Sequence, residues 1–95
     1  MFIVLLKFSD NKSQASELME DHKAWIKRGI DDGTFLLVGG LQPNLGGGIM
    51  AHKITFSELQ DRVNEDPFVA KNVVSAEIIE ITPAQADERL QFLLD

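Results

Sequence analysis

The chain contains no cysteine. Disulfides, thiolate catalysis and cysteine-ligated zinc are thereby excluded. Basic residues are scarce as well: 9 Lys and Arg stand against 15 Asp and Glu, a formal net charge of -6. Binding to phosphate backbones or anionic bilayers needs a basic footprint. Neither nucleic acid nor a membrane surface is therefore an expected partner. No apolar run approaches the length of a membrane span. The opening MFIVLLKFSD lacks a basic start and is too short for the apolar part of an export signal. The expectation is a cytoplasmic protein.

What is present is ordinary for a globular protein: 95 residues, 44% hydrophobic and 25% charged. That length suits a single domain, residues 1–95, with one modest core. Phe2 to Phe8 reads as a strand with apolar residues on both faces, so both faces need cover. Residues 13–31 read as a helix, with Ser13 as N-cap and Gly33 as the stop; Ala15, Leu18, Met19, Trp25, Ile26, Gly29 and Ile30 recur at helical spacing. Residues 34–40 (TFLLVGG) form a second strand, LQPNLGGG a turn-rich loop, and 48–54 (GIMAHKI) a third strand.

Thr55 and Glu58 make a capping box for a helix from Phe56 to about Glu65, with Phe56, Leu59 and Val63 as its buried stripe. Val73 to Ile81 is a fourth strand. Thr82-Pro83-Ala84-Gln85 has the cap chemistry of a final helix burying Ala86, Leu90, Leu93 and Leu94. The order βαββαβ predicts an α+β, ferredoxin-like fold: a four-stranded antiparallel sheet with two helices on one face. Two helices cover one face only. The apolar second face predicts a homodimer, sheet against sheet, with higher assembly left open.

Two residues carry most of the possible chemistry. His22 lies on the apolar stripe of the first helix, four after Leu18 and three before Trp25. It is either a core histidine with one nitrogen satisfied, or a general acid/base in a pocket. Asp66 sits in the corner Asp66-Pro67-Phe68. Pro67 drives Asp66 out of the helical region, which suits a turn. The alternative is that the corner aims the carboxylate at His22, fixing its tautomer. The glycines of VGGLQPNLGGG have no phosphate-binding spacing. They leave room for a ligand against the backbone, and Gly39, Gly40 and Phe68 are the candidate substrate-binding residues. His22 and His52 lack the surrounding carboxylates that a metal would need, so neither metal nor cofactor is expected. Lys23, Lys27 and Arg28 flank the His22 stripe and should point outward.

These residues, in order, resemble the YciI family. The resemblance rests on MFIVLLKF, His22-Lys23-Ala24-Trp25-Ile26, Asp32-Gly33-Thr34-Phe35-Leu36, Gly39-Gly40, Asp66-Pro67-Phe68 and Ala76-Glu77-Ile78-Ile79-Glu80-Ile81. It covers a core of residues 1–82 and leaves residues 83–95 as a C-terminal helical extension. Family members often read Gly-Pro where this chain has Gly40-Leu41. They often carry Arg or Pro shortly before the histidine, where this chain has Leu18-Met19-Glu20-Asp21. The resemblance implies a dimeric α+β barrel, similar to muconolactone-isomerase-type proteins and to dehydrochlorinases of chlorinated aromatic breakdown. It also implies a His–Asp active site, here His22 and Asp66.

Two functions from different classes follow. One is a cofactor-independent acid/base enzyme, an isomerase or dehydrohalogenase acting on a small cyclic or carbonyl-containing metabolite. The other is a non-catalytic dimer that binds a small molecule or assembles with another protein.

Overall fold

A computed structural model describes residues 1–94. Strand β1 (Phe2–Phe8) leads through a 3-10 turn (Lys12–Gln14) into helix α1 (Ala15–Asp31). Strands β2 (Phe35–Leu41) and β3 (Gly46–Ala51) follow, then helices α2 (Phe56–Asn64) and α3 (Pro67–Ala70), strand β4 (Val74–Glu80) and a closing 3-10 segment (Glu88–Leu94). The sheet is antiparallel throughout, in the order β2-β3-β1-β4. This is the expected ferredoxin-like α+β arrangement. Among the described residues no helix is long and apolar enough to cross a membrane.

Alternation along β1 sorts the two faces. Phe2, Val4 and Leu6 are buried beneath the helices with Trp25, Phe35, Ile49, Ala51, Leu59, Val63, Phe68, Val73 and Val74. Ile3 and Leu5 point the other way and share the opposite face with their cross-strand partners Met50 and Gly48. A register shift between Phe35 and Leu37 turns Phe35 into the core and Leu37 outward. Leu37 is left 62% exposed and Ile79 41% exposed. In a single chain this second face is an uncovered apolar surface.

Two close approaches fix how α1 sits on the sheet. A methyl at Gly29 would overlap the Phe35 ring, so only glycine lets the helix close on β2. The Trp25 indole Nε1 donates to the Arg62 carbonyl at 2.9 Å, tying α1 to α2. At the end of α1, Gly33 takes a positive φ of 82°, as its role of stop requires. Gly46 has φ 135°, and a Cβ there would collide with the Leu6 carbonyl, so β3 can begin beside β1 only with glycine.

Several elements differ from expectation. Ser13 does not cap α1; the 3-10 turn runs straight in, and the Ala15 N–H donates to the Lys12 carbonyl instead. Residues 46 and 47 also belong to β3 rather than to a loop, because the ladder partners on both sides impose extended backbone on the glycines. β3 also ends at Ala51, so His52 lies just beyond the strand. The Thr55–Glu58 capping box forms as read, but Phe56 is 46% exposed and only Leu59 and Val63 are buried along α2. The short α3 was not anticipated.

The final helix does not form at Thr82-Pro83. The 3-10 segment begins only at Glu88, with the Asp87 carboxylate accepting from the Arg89 N–H. Leu90 and Leu94 are exposed, and no residue of the segment is buried. Cap residues alone cannot sustain a short helix that has no surface to pack against.

An ion pair closes the α1–β2 turn. Asp32 accepts from the Thr34 N–H at 3.0 Å and from the Arg62 guanidinium at 2.6 Å. The Thr34 amide first, and Arg62 second, hold the Asp32 carboxyl below its usual range. Its folded-state value lies below the unfolded one. The stability it contributes is therefore present above the unfolded value of about 3.9, and is lost as pH falls through the lower folded value. The side chain is half exposed, so solvent screens the pair. Asp32→Asn should lower stability at neutral pH by about 0.5 kcal/mol. Urea denaturation of both proteins at pH 7, and again near full protonation, should show the difference disappear in acid; a constant difference would mean that the charge is not its source.

Candidate active site at the corner between α2 and α3

Pro67 at the first turn of α3 bars Asp66 from helical backbone, and Asp66 takes φ −62° and ψ 124°. In that conformation its side chain folds back as the cap of α3. Oδ1 accepts from the Phe68 N–H at 3.1 Å. The same oxygen lies 2.7 Å from His22 Nδ1 on α1. Asp66 is fully buried, while the His22 side chain retains 13% exposure. A buried carboxylate is costly unless it is hydrogen-bonded and paired with a cation or donor. Asp66 meets that requirement through Oδ1; Oδ2 is buried and has no partner among the described residues.

The imidazole is also held by its faces. The Phe68 ring stacks on it at 3.9 Å between centroids and 3° between planes. Trp25 lies 6.1 Å away, inclined by 22°. An ionised carboxylate only accepts, so Nδ1 carries the hydrogen and Nε2 is left as the acceptor. Nε2 has no hydrogen-bond partner among the described residues. His22 lines a cavity of ≈ 280 Å³ between α1, the α2–α3 corner and the helix-facing side of the sheet. Its walls are Leu6, Phe8, Met19, Ile26, Val38 and Phe68, and much of the remainder is glycine from β2 and β3.

The five residues singled out from the sequence separate as follows. His22, Asp66 and Phe68 are brought together, and Gly39 lines the same cavity. Gly40 does not line it and contributes instead to a shallow groove on the open face of the sheet. His52 is far from His22 in role: its Nε2 is 3.0 Å from the Gly33 carbonyl, and its ring meets Phe92 edge-on. Among the described residues no cluster of three or more His, Asp or Glu is placed to hold a metal.

Lys23 is exposed, as expected, and also borders the cavity, which sequence reasoning did not foresee. Gly46, Gly47 and Gly48, from the glycine run read as leaving room for a ligand though not singled out by residue, also line the cavity. The alternation of β3 would have revealed Gly47, had the run been read as strand: its β1 partner Leu6 is buried on the helix side.

No family model matches the chain, and no curated protein sequence matches it significantly. Among solved structures it is similar to 5-chloro-2-hydroxyhydroquinone dehydrochlorinase (TftG) from Burkholderia phenoliruptrix AC1100, in complex with 2,5-dihydroxybenzoquinone. The superposition has a TM-score of 0.69 and covers 85% of this chain and 93% of that one, at 11% sequence identity. The two proteins share a fold.

If Asp66 sets the tautomer, neutral His22 carries its proton on Nδ1. Long-range ¹⁵N–¹H correlation spectra should show that pattern in the wild type and a gain of the Nε2–H form in Asp66→Ala. A wild-type His22 protonated on Nε2 would contradict the assignment.

Proposed function

We propose that the protein is a YciI-like, cofactor-independent acid/base enzyme in which His22 moves a proton and Asp66 positions it. The observation that carries this reading is the 2.7 Å contact from Asp66 Oδ1 to His22 Nδ1 in the wall of an apolar cavity. It directs the one unengaged ring nitrogen to whatever the cavity holds. Nε2 takes a proton from carbon beside a carbonyl, or from a ring hydroxyl. In an elimination the C–H electron pair becomes the new double bond, the carbon–halogen bond breaks, and halide leaves. In an isomerisation the proton returns at another carbon. In both, the buried Asp66 carboxylate stabilises the imidazolium formed in between. The shared fold with a dehydrochlorinase is in keeping with the elimination.

The reaction class can be tested before a natural substrate is known. Small cyclic ketones and halogenated hydroquinones are incubated with the protein in D₂O, and catalysed exchange of the acidic C–H, or halide release, is followed. His22→Ala and Asp66→Asn should each slow it by about 10²- to 10⁴-fold. Variants as active as the wild type would end the acid/base reading. Saturable binding with no exchange anywhere in the panel would assign the cavity to a non-catalytic binding protein.

The working unit we propose is a homodimer joined through the open sheet face. Ile3, Leu5, Leu37 and Met50 line a groove there, and exposed contiguous apolar surface of this kind is what isologous interfaces cover. Analytical ultracentrifugation should give twice the chain mass, and Leu37→Glu should give the monomer. A wild type that sediments as a monomer at tens of micromolar would refute the dimer.

A further inference from the structure

Among the fourteen residues that line the cavity, none is acidic. This is notable in a chain with 15 acidic residues and a net charge of -6. Asp66 lies behind the imidazole rather than on the cavity wall. The titratable groups that do line it are His22 and Lys23. Lys23 forms no salt bridge with any described residue, whereas Lys27, one turn further along α1, is paired with Asp31 at 2.6 Å. One uncompensated cation therefore borders an apolar chamber that holds a proton acceptor.

We propose that Lys23 makes this cavity selective for the anionic form of a small single-ring compound. The inference rests on the reading of the cavity as a ligand site, and extends it to the charge of the ligand. Three features support it. The first is size: a cavity of about 150 Å³ accommodates benzene, so ≈ 280 Å³ has room for one ring with its substituents. The second is shape. The glycines of β2 and β3 present backbone without side chains, and the Phe8 and Phe68 rings are among the other walls, which suits a flat ligand.

The third is charge. Proton removal beside a carbonyl or from a ring hydroxyl leaves an oxyanion that needs a donor. The amides of Gly46 to Gly48 lie in ladders with β1 and β2 on both sides and are poorly placed to serve. Lys23 is the remaining cationic group. Its methylene stem can follow the apolar rim while the ammonium stays hydrated at the mouth. The overall negative charge repels anions at a distance, but that field is screened beyond about 8 Å at physiological ionic strength. Selection therefore has to be local, and it falls to Lys23.

Benzoate and benzamide have the same ring and nearly the same shape and differ in charge, which makes them suitable probes. Binding of each is measured by calorimetry to the wild type, Lys23→Gln and Lys23→Arg, with the His22 and Phe68 NMR signals reporting where the probe sits. The wild type should bind benzoate on the order of tenfold more tightly than benzamide, the increment expected of one charge-assisted contact. Lys23→Gln should remove that preference without changing benzamide affinity, and Lys23→Arg should retain it.

Equal affinities in the wild type would overturn the proposal. So would a Lys23→Gln variant that weakens both probes alike, or failure of both probes to bind at millimolar concentration. The readout is equilibrium binding rather than turnover. An anion preference in a protein devoid of exchange activity would thus refute the catalytic reading and leave the charge selection standing.

Discussion

One oxygen atom, Oδ1 of Asp66, connects the local and tertiary structure of the site. It accepts from the Phe68 amide and so starts α3, and it accepts from His22 Nδ1 and so joins that corner to α1. Removing it would leave a buried amide and an imidazole nitrogen short of a partner at the same time. Phe68, whose amide makes the first bond, supplies the ring that stacks on the histidine. Backbone cap, side-chain hydrogen bond and aromatic stack thus share three residues. Such a cluster holds an imidazole in one orientation, which general acid/base chemistry requires.

The cavity arises from what the sheet lacks. Where a typical helix-facing strand position carries Val or Ile, β3 carries glycine at Gly47, and Gly39, Gly46 and Gly48 border the same space. The helix cannot sink into the gap, because α1 is held above the sheet by the buried Trp25 and by the Gly29–Phe35 contact. Space remains at one end of the core, with the His22 imidazole in its wall. A fold used by many unrelated functions thereby acquires, in this chain, a cavity with a histidine in its wall.

The sheet topology was legible in the residues; the His22–Asp66 juxtaposition was one of two readings they allowed, and the family resemblance implied it. Alternation in β1, the helical stripe through Trp25 and the Thr55 capping box left few other arrangements, and an Asp-Pro pair after α2 has few conformations open to it. Other features were hidden for physical reasons. Three consecutive glycines carry no side-chain pattern, so the start of β3 looked like loop. A four-residue helix is too short to have a period, so α3 did not show. The Thr82-Pro83 signal was real cap chemistry without a packing surface, and packing decides helix formation. Lys23 is solvent-facing as its place beside the stripe suggests, but the helical pattern does not show that it also borders the cavity. At the end of a sheet bare of side chains, that position borders empty space.

The glycine wall has a further implication for how this chamber can diverge. Gly46 is fixed by its backbone, and any side chain there would strike the Leu6 carbonyl. Gly47 is under no such constraint. Its φ is not positive, and a Cβ would lie 3.5 Å from the Gly39 carbonyl oxygen, at ordinary contact distance. Neighbouring positions on one strand therefore differ in evolutionary freedom. The first is locked by geometry, while the second can accept small side chains and trim the chamber by successive carbon atoms. Homologous proteins could vary the size of molecule they admit at Gly47 while the His22–Asp66 pair across the cavity stays unchanged.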